Sequence, residues 1–211
     1  MSTSAAELTS FPRSSINSGQ VSAILAAAES CFSRLGYAGA SMREIADQAR
    51  VSKSLLHYHF RSKEHLFVEV QIRAYERLAA RVTSTVSSIQ GGAERGLAAF
   101  DALFAALRDG SDLTVQAELW SAAISNEALR EQVVRLREFS RELLVGSVER
   151  ILGADGAKLP TGPEGAADLV WATLNGLAIA RSYGEPTERM ERCIATLRAL
   201  VGAALARGQR R

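Results

Sequence analysis

The sequence predicts an all-helical protein in which a small three-helix N-terminal unit precedes a larger helical domain. Apolar residues recur at steps of three and four along most of the chain, which is the spacing of a helix face. Serines stand where helices would begin, and no segment shows the alternation typical of a strand. The 211 residues, 47% hydrophobic and 23% charged, suffice for a sizeable core. We expect about nine helices and no sheet.

The first helix is predicted from Ser18 to Gly36, because apolar residues recur at helical spacing from Val21 to Leu35. Residues 1–15 show no such period, and we expect a disordered N-terminal arm there.

A capping box opens the second helix, since the Ser41 hydroxyl can accept from the first turn while Glu44 reaches back to the serine amide. Ser52 is a second cap candidate, and it predicts a third helix from Lys53 to about Phe60. These two short helices are joined by a tight turn at residues 50–51.

Ser62 caps a fourth helix that is expected to run to about Ser87, with Glu64 placed favourably in its first turn. Glycine and proline breaks then divide the rest of the chain into helical blocks. The predicted division is a residue 1–15 arm, a helix-turn-helix domain at 16–63 and a regulatory domain at 64–211.

Two capped short helices with an apolar helix behind them are the parts of a helix-turn-helix, whose second helix enters the major groove of DNA. The predicted third helix can turn polar groups outward while Leu56 and Phe60 anchor its other face. Residues 13–63 hold seven Lys and Arg against three Asp and Glu, whereas the chain from Glu64 onward is nearly balanced. A basic front suits contact with phosphate.

The run GYAGASMREIA at 36–46 and the run VSKSLLHYHFRSKE at 51–64 closely resemble the N-terminal domain of the tetracycline-repressor (TetR) family. The resemblance covers about residues 18–70. It implies phosphate contacts by Ser41, Arg43, Ser52, Tyr58 and Lys63, and base-edge contacts by Lys53, Ser54 and His57. His59 either touches DNA as well or turns inward beside Phe60. Arg43 is alternatively a solvated surface charge.

Two positions depart from the family pattern. Arg50 stands where the turn usually carries Gly, which adopts a positive φ without penalty, so strain or a shifted turn is expected. Ser54 also replaces a frequent Gly and adds a hydroxyl near the groove, which can change base preference.

Residues 70–211 resemble the family's regulatory domain in layout, and the resemblance implies a ligand cavity among its helices. The polar end of that cavity is assigned to Glu118, Asn175 and Tyr183, and core packing is the alternative for each lining residue. The predicted lining is Phe100, Phe104, Leu107, Glu118, Trp120, Trp171, Asn175 and Tyr183. We expect a small, mostly apolar or amphipathic effector.

The last two helices are expected to form a homodimer interface, as the resemblance implies, although packing within one chain is the alternative. A dimer matches an inverted-repeat operator in double-stranded DNA, with half-sites roughly 34 Å apart. The residues assigned to this interface are Ala172, Gly176, Ala180, Ile194, Leu197 and Val201.

The sequence offers no recognisable catalytic or metal-binding constellation. His57 and His59 point to different faces of a helix, and Cys31 and Cys193 have no ligand at metal spacing, so we expect no cofactor and no enzyme activity. No segment reads as a membrane span or signal peptide, which predicts a cytoplasmic protein. The sequence therefore predicts a ligand-responsive transcriptional repressor. The alternative is a DNA-binding regulator or architectural protein without an effector.

Overall fold

The computed structural model describes residues 18–109, 123–124 and 126–208, and all regular structure within these ranges is helical. The all-α prediction is confirmed for them, with eight α-helices against the approximate nine expected. None of these helices is long and apolar enough to cross a membrane. The helices are α1 (Ser18–Gly39), α2 (Met42–Ala49), α3 (Lys53–His59), α4 (Lys63–Val86), α5 (Gly92–Asp109), α6 (Glu127–Leu152), α7 (Gly162–Ser182) and α8 (Thr187–Gly208), with a 3-10 helix at Gly153–Lys158.

The chain divides into two compact units. The described part of the first unit is residues 18–73, 123–124 and 126–139, and that of the second is residues 74–109 and 140–208. Helices α4 and α6 each contribute residues to both units.

The core of the first unit lies between α1, α2, α3 and the start of α4. Ile24, Ile45 and Leu56 are fully buried there. Phe32 and Phe67 meet edge to face with ring centroids 4.9 Å apart, a favoured aromatic geometry. The spaced apolar residues of the sequence therefore face one another and hold the three short elements in place.

Gly36 interrupts α1 without ending it. Its backbone, at φ 70° and ψ 172°, is not helical, and one further turn continues to Gly39. The helical backbone therefore breaks at the residue where the sequence predicts the end of this helix, and only the short turn that follows to Gly39 was not predicted. A positive φ is readily adopted by glycine, which explains a kink at this position.

The predicted serine caps are present. Ser41 Oγ accepts from the Glu44 amide at 3.2 Å while Glu44 Oε2 accepts from the Ser41 amide at 3.0 Å, which completes the capping box. Ser52 Oγ accepts from the Leu55 amide at 3.1 Å and begins α3. Helices α2 and α3 are thus delimited by local hydrogen bonds that the sequence encodes.

Arg50 closes α2 in the left-handed region, at φ 55° and ψ 41°. It is the one non-glycine residue with positive φ in the part of the chain that the structure describes. We expected strain in this turn because the family usually has glycine at this position. The left-handed backbone of Arg50 explains that preference, since glycine adopts this conformation more easily than other residues do.

Two apolar clusters form the core of the second unit. One joins Phe100 and Phe104 of α5 to helices α7 and α8, where Ile194 is buried. The other joins α4 to α6 through residues such as Val82 and Ile151. These clusters fasten α4–α8 around the cavity described below.

Candidate nucleic-acid interface and cavity

The outward face of α3 carries hydrogen-bonding side chains. Lys53, Ser54 and His57 are exposed, and Tyr58 is 77% exposed, which is unusual for so large a ring. On the opposite face Leu56 is fully buried. Helix α3 is therefore anchored by its apolar side and presents polar groups to the surroundings.

The start of α2, the helix that precedes α3 in the sequence, adds further exposed polar groups. Ser41 is exposed, and Arg43 has a side chain that is 86% exposed. Its Nε lies 4.0 Å from Asp47 Oδ2, at the limit of an ion pair between two exposed groups. Such a pair holds an arginine weakly, so Arg43 can exchange this partner for a phosphate.

Lys63 is half-buried, and its ammonium ties the start of α4 to the end of α1. Nζ donates to Tyr37 O at 2.9 Å and Ala40 O at 3.1 Å, and lies 4.5 Å from the centre of the Tyr37 ring. Since an ammonium has three N–H donors, one is left over for an anion. The predicted phosphate contact of Lys63 therefore shares this group with a structural role.

A partly buried hydrogen bond also joins the end of α1 to the start of α4. The Tyr37 hydroxyl donates to Glu64 Oε1 at 2.8 Å. Burial, this bond and the Glu64 charge raise the pKa of Tyr37. Burial alone would raise the pKa of Glu64, but hydrogen bonds from its own backbone, Tyr37 and Ser62, together with Lys63, hold it below its usual range. Both groups thus keep the protonation states that this bond needs.

His59 turns inward. It is half-buried, its ring centroid lies 6.4 Å from that of Phe60, and its Nε2 is buried without a hydrogen-bond partner among the described residues. Of the two alternatives left open by the sequence, this geometry matches packing beside Phe60. The reason is its place at the last position of α3, where the chain turns back towards the core.

A cavity of about 350 Å³ lies within the second unit, lined by parts of α4–α8 and residues 159–161. The volume is within the range of small-molecule sites. None of the described residues that line it is Asp, Glu, Lys, Arg or His. The cavity therefore suits an apolar occupant.

Three of the eight predicted lining residues, Phe100, Trp171 and Asn175, line this cavity. Phe104 is fully buried in the neighbouring apolar cluster and so belongs to the core, which is the alternative role given for each predicted lining residue. Tyr183 is 86% exposed and follows the last residue of α7, so its placement at the polar end of the cavity is wrong. The remaining three lie outside what the structure describes: the side chain of Leu107, and residues Glu118 and Trp120.

Sequence reasoning missed the part of the lining that α6 provides. Ser140, Leu144, Ser147 and Ile151 line the cavity at steps of four, three and four. Ser140 and Ser147 are buried polar residues seven apart, on one face of this helix. Two small polar residues inside an otherwise apolar stripe were the signal that could have indicated this wall.

The predicted dimer residues fall into two groups. On α7, Ala172 and Gly176 are exposed and Ala180 is half-buried. On α8, Ile194 is 4% exposed in the core, and Leu197 and Val201 pack against the same cluster. Ile194 therefore packs within its own chain, which is the alternative given for these residues, whereas Leu197 and Val201 are only partly buried and their interface role stays a prediction. The exposed side of α8 instead carries Leu200 and Cys193.

The described residues include no group of three or more His, Cys, Asp or Glu that could hold a metal ion. Cys31 is buried and donates to Gln48 Oε1 at 3.1 Å, which explains it as a packed structural thiol.

Two family models match this sequence. Residues 24–70 match the model of bacterial regulatory proteins of the tetR family. Residues 92–206, more than half of the chain, match the C-terminal model of BetI-type transcriptional repressors. The first match contains α2 and α3, and the second contains α5–α7 and most of α8.

Similar proteins include named transcriptional regulators. The HTH-type transcriptional activator FasR of Mycolicibacterium smegmatis is 38% identical over 81 residues, which cover 38% of this chain and 37% of that protein. The match thus spans about a third of this curated relative's length.

Solved structures match over nearly the whole chain. A candidate transcriptional regulator from Pseudomonas aeruginosa PAO1 is 30% identical, with a TM-score of 0.62 over 89% of this chain and 92% of that one. FadR from Bacillus subtilis, solved with stearoyl-CoA, is 17% identical, with a TM-score of 0.59 over 89% and 98%. At that identity the second match concerns the fold alone.

Proposed function

Because this chain belongs to the tetR family of bacterial transcriptional regulators, we propose that it represses transcription as a homodimer on an inverted-repeat operator and is released by a small, mostly apolar effector. The observation that supports DNA binding is that α3 exposes a polar face while its opposite, apolar face is buried. The cavity carries the effector half.

In this proposal α3 lies in the major groove. Lys53, Ser54 and His57 approach base edges, and Lys53 is a natural donor to guanine N7 and O6. The exposed hydroxyl of Tyr58 contacts a phosphate, as do Ser52 and the exposed start of α2 at Ser41 and Arg43. Lys63 offers its remaining N–H donor to a phosphate of the DNA backbone.

The dimer forms through the exposed face of α7. Ala172, Gly176 and Ile179 share one side of this helix and are exposed. A Cβ added at Gly176 would meet nothing within 4 Å in its own chain, so a partner helix could approach closely there. Leu200, 63% exposed on α8, adds an apolar group to the interface.

Effector binding changes the equilibrium between two states. A ligand in the cavity contacts α4, which contributes residues to both units. Its binding favours a state in which the two helix-turn-helix units of the dimer no longer match the spacing of the half-sites. Bacillus subtilis FadR, with the same fold, was solved with stearoyl-CoA, which supports a ligand role for this domain.

A DNA-binding regulator without an effector is the second candidate. The cavity favours the ligand-responsive form, because well-packed interiors contain few voids larger than a water molecule. The match to a repressor model favours repression, whereas the relative FasR is named an activator. We propose no catalytic activity.

Footprinting on genomic fragments, including the region upstream of the protein's own gene, tests the DNA half. We expect one protected inverted repeat with half-sites about one helical turn apart. Protection without symmetry would contradict the dimeric operator. A chemically broad thermal-shift screen tests the effector half, and hits confined to highly charged compounds would contradict an apolar effector.

A further inference from the structure

The cavity in the second unit contains no formal charge in its described lining, although that lining includes residues from five helices. An ion moved from water into such surroundings loses its hydration without gaining an opposite charge. The buried portion of any occupant is therefore uncharged.

Most polar groups in the lining are already bound within the chain. Trp171 Nε1 donates to Ser140 Oγ at 3.0 Å. Ser147 Oγ donates to the Leu143 carbonyl at 2.7 Å and accepts from Arg150 Nη2 at 3.1 Å. These groups keep their partners when the cavity is filled, so they select little.

Asn175 is different. It is 8% exposed, and its Nδ2 donates to the Trp171 carbonyl at 2.7 Å. A carbonyl accepts only from a donor, so this bond determines which end of the amide is nitrogen. Within the described chain no hydrogen bond reaches Oδ1, and the residue lines the cavity. A ligand that fills the cavity and displaces water from this oxygen leaves it unsatisfied, at a cost in free energy, unless the ligand brings its own donor.

We infer that the effector is an uncharged lipophile with one hydrogen-bond donor, a hydroxyl or an amide N–H, that Asn175 Oδ1 accepts. This deepens the proposed effector role of the same cavity and rests on it. Asn175 acts as a specificity residue, and the apolar walls provide affinity without discriminating between lipophiles of similar shape.

Two arginines next to lining residues do not favour an ionic ligand. Arg150, which reaches Ser147, is itself exposed. Arg141, next to Ser140 in the chain, donates to Asp168 Oδ1 at 2.9 Å in an ion pair. A ligand carboxylate at this position would compete with an existing carboxylate for the same guanidinium.

Calorimetric titration of the full-length protein tests this with four probes at neutral pH: octanol, its isomer heptyl methyl ether, octanoate and octylammonium. The first two contain the same atoms and have similar shapes, but only octanol has a hydrogen-bond donor. We expect octanol to bind about threefold to tenfold more tightly than the ether, as one hydrogen bond allows. Both should bind more tightly than either ion.

Two variants at Asn175 separate the amide from general packing. Asn175→Leu should abolish the preference for octanol while the ether still binds. Asn175→Asp, of nearly the same shape, should raise the affinity for octylammonium relative to octanol. Thr173→Val is the matched control, because Thr173 also bonds the carbonyl four residues before it on α7 but does not line the cavity. It should keep the wild-type preference.

Equal binding of octanol and ether, tightest binding of octanoate, or a preference that survives Asn175→Leu would overturn the inference. Failure of all four probes to bind would overturn it too. The operator footprint is a separate measurement and would still test the proposed function. If octanol binds as expected but does not weaken the footprint, the ligand class stands and the effector role fails.

Discussion

Arg50 has a left-handed backbone conformation, which glycine adopts more easily than arginine does. A left-handed conformation costs an L-residue roughly 1–2 kcal/mol, and glycine avoids this cost while losing more entropy on folding. Arg50→Gly should raise the free energy of unfolding by about 0.5–1 kcal/mol, which is a Tm increase of about 1–4 °C for a chain of this size.

Arg50→Ala is the matched control for this prediction, since it removes the charge and keeps the Cβ. Calorimetry in the absence of DNA should show no stabilisation by alanine. Equal stabilisation by alanine and glycine would mean that the arginine charge, rather than the backbone, causes the effect.

His65, at the start of α4, makes the stability of the first unit depend on pH. Burial lowers its pKa below 6.5, and the charges of Arg61 and Arg135 lower it further, although Glu69 Oε1 lies 4.0 Å from Nε2. As pH falls below about 6.5 the unfolded chain takes up a proton that the folded chain resists, so stability falls.

As pH falls below about 6.5, we expect this residue to lower the free energy of unfolding by up to about 1.4 kcal/mol per pH unit. Glu64 titrates below that window, since its pKa is held under its usual range. His65→Gln should flatten the dependence, and His57→Gln, at an exposed histidine, should not. An unchanged slope in His65→Gln would refute the assignment.

The capping box of Ser41 and Glu44 is the element-scale device that begins α2. Removing the serine oxygen leaves the Glu44 amide without its acceptor. Ser41→Ala should therefore cost about 1 kcal/mol of stability, whereas Ser41→Asp, which keeps an acceptor, should cost less. Thermal unfolding without DNA measures both, and equal losses in the two variants would show that the cap contributes little.

Helices α2 and α3 could be predicted closely because their boundaries depend on local hydrogen bonds. Ser41 and Ser52 encode their own caps, whatever packs around them. The face of α8 could not be predicted, because Ile194 and Leu200 are both apolar and only the tertiary packing decides that Ile194 is buried while Leu200 is exposed.

The two candidate sites also differ in how far the sequence alone predicts them. The polar face of α3 follows from helical periodicity, since Leu56 must lie opposite the exposed groups. The cavity depends on where five helices leave space, which no local pattern specifies. Asn175 was predicted as a polar group of the lining, whereas Tyr183 lies just beyond the end of α7 and faces solvent.

At the scale of the whole molecule, dimerisation can be tested through a glycine. Gly176 has open space around it within its own chain, so Gly176→Arg should fold normally but prevent close approach of a second α7. We expect sedimentation to give a dimer for the wild type at micromolar concentration and a monomer for the variant.

Gly19→Arg is the matched control, because Gly19 is also an exposed helical glycine with open space around it, on α1. It should remain a dimer. A wild-type monomer, or a dimer unaffected by Gly176→Arg, would contradict the proposed interface.

The most direct test of the central claim is operator affinity by fluorescence anisotropy over a salt series. For the wild type we expect selective binding that weakens steeply with salt. Lys53→Ala should cost about tenfold or more and relax selectivity, Tyr58→Ala should weaken binding, and Arg43→Ala should lower the salt slope by about one. Arg81→Ala, at an exposed arginine of the second unit, should bind as the wild type does. Weak binding common to all fragments and unchanged by these substitutions would contradict the account.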